Sequence, residues 1–132
     1  MLSDIAAYDL QNNIRILGRI PREHVLPLMR QSIAVLQPSL FEGWSTSVEE
    51  VKSLGKQIIL SDIPIHREQN PTSGLYFLPT SPSELAVLLL KLYTEKQPGP
   101  DLQLEQSAKQ SMRDRTQVFA QTFYNIITEL VN

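Results

Sequence analysis

Pro38-Ser39-Leu40-Phe41-Glu42-Gly43-Trp44-Ser45-Thr46-Ser47-Val48-Glu49-Glu50 follows the apolar run Ile33-Ala34-Val35-Leu36 and leads into Val48, Val51 and Leu54, which recur every three residues. The stretch therefore closes a buried strand and opens a helix with one apolar side, and Gly55 is placed to stop that helix. Carboxylates at Glu42 and Glu50 bracket the start of the helix.

Working outward, three more apolar runs have strand length: Ile14-Arg15-Ile16-Leu17, Gln57-Ile58-Ile59-Leu60 and Leu75-Tyr76-Phe77-Leu78. Between the first strand and the second, Val25, Leu28 and Met29 sit at helical spacing after Pro21, with Pro27 confined to the first turns. Ser61-Asp62-Ile63-Pro64 leads into a short helical turn through Gln69, and Ser83 is positioned to cap a helix over residues 84–93. Strands alternating with helices, the strands nearly all apolar, predict a parallel sheet with helices on both faces, a doubly wound, Rossmann-like α/β domain. Gln97-Pro98-Gly99-Pro100 separates off a last helix at about 102–131, whose Met112, Thr116, Phe119, Phe123, Ile126, Ile127 and Leu130 form one stripe expected to pack in a core. Residues 1–10 read as an opening helix ending at Gln11-Asn12-Asn13.

Composition narrows the classes. The chain has 132 residues, 42% hydrophobic and 20% charged, with a net charge of −2, which suits one soluble globular domain and gives nucleic acid no basic surface. With zero cysteines there is no disulfide framework and no thiolate metal site, and a cytoplasmic location is expected. The longest apolar run, residues 85–90, is too short to span a bilayer.

Ligands of open α/β sheets sit at the carboxyl ends of the strands. The loops there carry Gly18-Arg19, the double-glutamate segment, and Ser61-Asp62 followed by His66-Arg67-Glu68. In order, Gly18, Pro38-Ser39, Phe41-Glu42-Gly43-Trp44, Glu50, Gly55-Lys56 and Ser61-Asp62 resemble the landmarks of family 4 retaining glycosyltransferases over roughly residues 13–93. The resemblance is to the C-terminal, donor-binding half of these two-domain GT-B enzymes. It implies that the chain, as a single partial domain over residues 1–132, lacks the acceptor-binding N-terminal domain. It also implies that the arginine and lysine that bind the donor diphosphate precede the region represented here, and that this chain alone does not turn over.

The same resemblance implies a nucleotide-diphosphate sugar as donor, no metal ion and no further cofactor. Glu42 would lie beside the transferred sugar as the catalytic carboxylate, and Glu50 would accept hydrogen bonds from the ribose diol, a task suited to an acceptor-only group. Backbone N–H groups around Ser45, Thr46 and Ser47, with the approach left open by Gly18 and Gly43, would receive the diphosphate or nearby sugar hydroxyls. Arg19 and Arg67 are candidate phosphate contacts. Ser45-Thr46-Ser47 departs from the second glycine and the proline found in many members. The full enzyme would be a cytoplasmic glycosyltransferase, peripheral to the membrane if its acceptor is lipid-linked, in the manner of polysaccharide biosynthesis.

Plainer readings stand beside these. Thr46 as N-cap with Glu49 at N3 fits a capping box, and shifting the cap to Ser47 makes Glu50 the box partner instead. Trp44 reads as a core plug, Arg19 as a surface residue, and His66 and Arg67 as part of an exposed helical turn. The runner-up function is a non-catalytic interaction module without donor binding, which dimerises through a bared sheet surface.

Overall fold

The computed structural model describes residues 2–131, with side chains over 3–130. The element order is α1 (Leu2–Ala7), α2 (Arg22–Gln31), β1 (Val35–Gln37), α3 (Thr46–Leu54), β2 (Ile58–Ser61), α4 (Pro64–Gln69), β3 (Gly74–Phe77), α5 (Pro82–Glu95) and α6 (Leu102–Val131). Met1, part of the expected opening helix, lies outside the described residues.

The three strands form one parallel sheet in the order β1-β2-β3. Its register sets Val35 opposite Ile58, Ile58 opposite Gly74 and Ser61 opposite Phe77. β2 is central, and all four of its residues are 0% exposed. Successive strand side chains point to opposite faces. Ile58 and Leu60 accordingly meet Val48 and Val51 of α3, with Met29, Val35 and Tyr76 packed around them, while Ile59 joins Phe77 and Leu92 of α5 on the other face. This confirms the doubly wound α/β expectation: helices cover both faces of a parallel sheet.

The first expected strand does not form. Residues 14–17 have no regular secondary structure and enter no ladder, and Ile14, Ile16 and Leu17 are 43–50% exposed. A strand exists only through a neighbour, and no described strand lies beside this run. The caps also differ. α5 begins two residues earlier than expected, with Ser81 rather than Ser83 as N-cap, accepting from the Glu84 N–H while the Glu84 carboxylate accepts from the Leu78 N–H at 2.8 Å. Pro82 takes the first helical position, where its missing N–H costs nothing.

The last helix is one unbroken rod of thirty residues, but only its start packs. Leu104 and Ala108 lie against α3, and the Asp101 carboxylate caps the first turn by accepting from the Leu104 N–H at 3.1 Å. The expected core stripe is instead bare: Met112, Phe119, Phe123, Ile126, Ile127 and Leu130 are all more than 40% exposed, because among the described residues no other element packs on that stripe.

At the end of the sheet where the strands begin, polar groups lock α2 and α6 together. Arg30 donates to both oxygens of Glu105 at 2.7 and 3.1 Å, and buried Lys56 donates to the carbonyls of Arg30 at 3.3 Å and Gly99 at 2.7 Å. Burial holds the Lys56 ammonium below its ordinary pKa. Gly55 supplies the left-handed C-cap of α3 at φ 61°, and a Cβ there would stand 2.2 Å from the Leu104 carbonyl oxygen. Gly55→Ala combines a strained φ with a backbone collision and should lower stability by about 2 kcal/mol or more. Gly43→Ala, which meets open space, should stay within about 0.5 kcal/mol of wild type. Paired urea titrations read the difference, and equal midpoints would refute the close approach of α6.

Candidate functional site

The site lies where β1 and β2 end. Ser61, the last residue of β2, is buried, and its hydroxyl donates to the Ser39 carbonyl across the sheet edge. The Ser61 carbonyl accepts from Nδ1 of His66, 2.8 Å away on α4. Because a carbonyl only accepts, Nδ1 carries a proton, so Nε2 is the nitrogen left to face the site. His66 is 0% exposed, and its Nε2 has no hydrogen-bond partner, standing 3.8 Å from Oε2 of Glu42. The expectation of an exposed turn at His66 is therefore corrected: α4 is only one and a half turns long and presses this ring inward.

Glu42 sits in the loop between β1 and α3 with its side chain mostly covered. The Ser39 hydroxyl and the Gln37 amide donate to Oε1. Burial pushes the Glu42 carboxyl up, but hydrogen bonds from Ser39, Ser45 and Gln37, with the His66 ring nearby, outweigh it and hold the group below the usual carboxylate range. The loop thus prearranges an ionised carboxylate.

Ser45 is the N-cap of α3 by backbone geometry, yet its side chain makes no cap hydrogen bond. It is buried and turned to Glu42 instead. The first-turn N–H groups of α3 therefore lack a side-chain acceptor, and the Thr46 and Ser47 hydroxyls make no hydrogen bond among the described residues. Neither capping box forms, since the helix starts one residue before Thr46 could cap it. Glu49, expected in the box, reaches sideways: Oε1 accepts from Lys52 at 3.0 Å and Gln69 at 3.1 Å, and Oε2 lies 3.8 Å from Arg115.

Glu50, one step further round α3, pairs with Arg22 at the start of α2 and is itself largely covered. Nothing in the sequence pattern singled out Arg22. Its proximity to Pro21 suggested only a helix start. Arg67 is committed as well, gripping Asp62 through two hydrogen bonds at 2.6 and 2.7 Å and stacking on Tyr76 with 3.8 Å to the ring centroid. The Arg67 guanidinium holds the Asp62 carboxyl below its ordinary range. Gly18 adopts φ 66° in open space, and Arg19 beside it is exposed, with neither linked to the Glu42 cluster by a hydrogen bond or ion pair. Trp44 is 54% exposed, so it is not a core plug, and Phe41 beside it is 87% exposed. The loop can bury only the small side chains that serve Glu42. Among the described residues no group of three or more His, Asp or Glu side chains could hold a metal ion, and no helix is long and apolar enough to cross a membrane.

In a parallel α/β domain the ends of the strands are where ligands bind, and the polar cluster lies there. The family model for group 1 glycosyl transferases matches residues 2–113, and the chain belongs to that family. No match was found among curated proteins or among solved structures.

Two measurements probe the cluster. In the neutral imidazole of His66 the proton should reside on Nδ1, readable from long-range nitrogen–proton NMR correlations; a proton found on Nε2 instead would break the assigned network. The lowered Glu42 carboxyl contributes stability that is complete above its unfolded-state pKa and is lost as pH falls through the lower, folded-state value. Glu42→Gln should accordingly flatten the acid limb of stability against pH, and an unchanged acid limb would show that the carboxylate is not prearranged.

Proposed function

We propose that the chain is the donor-binding domain of a retaining family 4 glycosyltransferase that takes a sugar from a nucleoside diphosphate. The reading is carried by the carboxylate of Glu42, held ionised at the end of β1 beside the uncapped first turn of α3. An anionic acceptor there suits the hydroxyls of the transferred sugar, and the free N–H groups and dipole of the helix suit the diphosphate. Developing charge on a diphosphate leaving group is what such a site must stabilise.

Glu50 takes the ribose diol. Its ion pair with Arg22 keeps the carboxylate oriented before the nucleotide arrives, and the guanidinium is then free to swing toward a phosphate. Thr46 and Ser47 line the approach, and Gly43 leaves room for the donor to come close. Arg67, tied to Asp62 and Tyr76, shapes the rim rather than binding phosphate. No cofactor beyond the donor is required, a second domain supplies the acceptor side and further cations for the diphosphate, and the enzyme works in the cytoplasm.

Calorimetric titration with UDP, GDP, ADP and their sugar conjugates tests this on the chain itself. One nucleotide should bind, and Glu50→Ala should weaken it roughly tenfold or more, matching the about 1.5–3 kcal/mol of hydrogen bonds to a charged group. Glu42→Gln should weaken the sugar conjugate while leaving the free nucleotide nearly unchanged. Absence of any binding at millimolar nucleotide would sink the proposal in favour of an interaction module.

A further inference from the structure

Away from the Glu42 cluster, the end of α3, the segment joining α4 to β3 and the first turns of α6 enclose a cavity of about 290 Å³. Gly55, the C-cap of α3, lines it, so it opens about 15 Å of helix away from Ser45, where α3 begins. The proposed donor site makes no use of it.

Its lining is polar and cationic. Lys52 of α3 and Arg115 of α6 both reach it. Lys52 commits two of its N–H groups, to Glu49 Oε1 at 3.0 Å and to the Gln69 carbonyl at 2.8 Å, and an ammonium has a third. The Arg115 guanidinium has Glu49 at 3.8 Å, beyond hydrogen-bond length. Thr72, Ser107 and Ser111 also line the cavity, and their hydroxyls make no hydrogen bond among the described residues. Set against Glu49, the two cations leave a net positive charge. The negative end of α3 is covered, because the Gly55 and Lys56 N–H groups donate back to the Lys52 and Val51 carbonyls.

Gln69 adds an independent sign. It lines the cavity and is 3% exposed. Its Nε2 lies between two acceptors, the Ser45 carbonyl at 2.8 Å and Glu49 Oε1 at 3.1 Å, so both amide hydrogens are used and the amide cannot be turned round. Oε1 is left buried with no donor. An orphaned buried acceptor beside a polar cavity marks a place where an incoming group completes the hydrogen bonding.

We infer that this cavity is a second ligand site, for a small hydroxylated phosphomonoester of the sugar-phosphate type. Lys52 and Arg115 take the phosphate, the free hydroxyls of Thr72, Ser107 and Ser111 donate to its remaining oxygens, and a ligand hydroxyl supplies the donor that Gln69 lacks. No aromatic ring lines the cavity among the described residues, so a flat or apolar ligand has nothing to pack on. The cavity around Lys56 and Lys96 offers less: Lys56 donates to two carbonyls, and Lys96 lies 3.5 Å from Asp101.

NMR of the whole nitrogen-labelled chain, titrated at constant ionic strength with inorganic phosphate, a hexose 6-phosphate and the unphosphorylated hexose, tests the site. The amide signals of Lys52, Thr72, Ser107 and Ser111 should move together to saturation with both phosphate-bearing probes and stay still with the hexose. The hexose phosphate should bind more tightly than phosphate alone. Lys52→Met and Arg115→Gln should each weaken binding about tenfold, the loss of one hydrogen bond to a charged group. Ser111→Glu, on the exposed side of α6, should do the same by repulsion while circular dichroism reports an unchanged fold. Shifts that never saturate, that are confined to the start of α3, or that survive all three substitutions would overturn the proposal. Equal affinity for phosphate and its hexose ester would overturn the ligand class. No nucleotide enters any of these readouts, so they stand or fall apart from donor binding.

Discussion

Ser61 is the hinge on which fold and site both turn. It ends the central strand fully buried, paired with Phe77 of β3 on one side and holding the Ser39 carbonyl through its hydroxyl on the other, so its position is strongly constrained. From there its hydroxyl holds the Ser39 carbonyl and its carbonyl holds the His66 ring. One residue thus ties the β1 loop and α4 to the sheet, and Glu42 is placed by what those two segments carry. Buried polar groups are tolerable only when satisfied, and nearly every one here is. The Nε2 of His66 is an exception, and it points at the one carboxylate the loop is built to present.

Three acidic residues of one short segment meet different fates because a helix turns by a fixed angle per residue. Glu42, before the helix, is wrapped by hydroxyls and an amide. Glu49 and Glu50 are neighbours in sequence, yet one reaches α4 and α6 and the other reaches α2. Charge on this segment is therefore distributed to fixed partners rather than pooled, which leaves the first-turn N–H groups of α3 as its uncommitted donors.

α6 joins two kinds of surface in one rod. Its first turns are part of the domain, held by Gly55, the Arg30 pair with Glu105 and the carbonyls gathered by Lys56. Beyond Arg115 the helix leaves the domain, and its apolar stripe packs on no other element among the described residues.

The residues alone determined the alternation of strands and helices, the central apolar strand and the left-handed stop at Gly55. These follow from periodicity and from backbone demands that are local. Tertiary structure decided what local rules could not. Residues 14–17 have a strand's composition but no neighbour to pair with, and the α6 stripe has a core's composition but no core within reach. Thr46 and Glu49 match a capping box, yet Ser45 begins the helix because its side chain is drawn to Glu42. His66 looked like a surface residue, and only the packing of α4 on the strand ends made it the buried face of the site. Composition states what a segment is able to bury; which surface is there to receive it depends on residues distant in sequence.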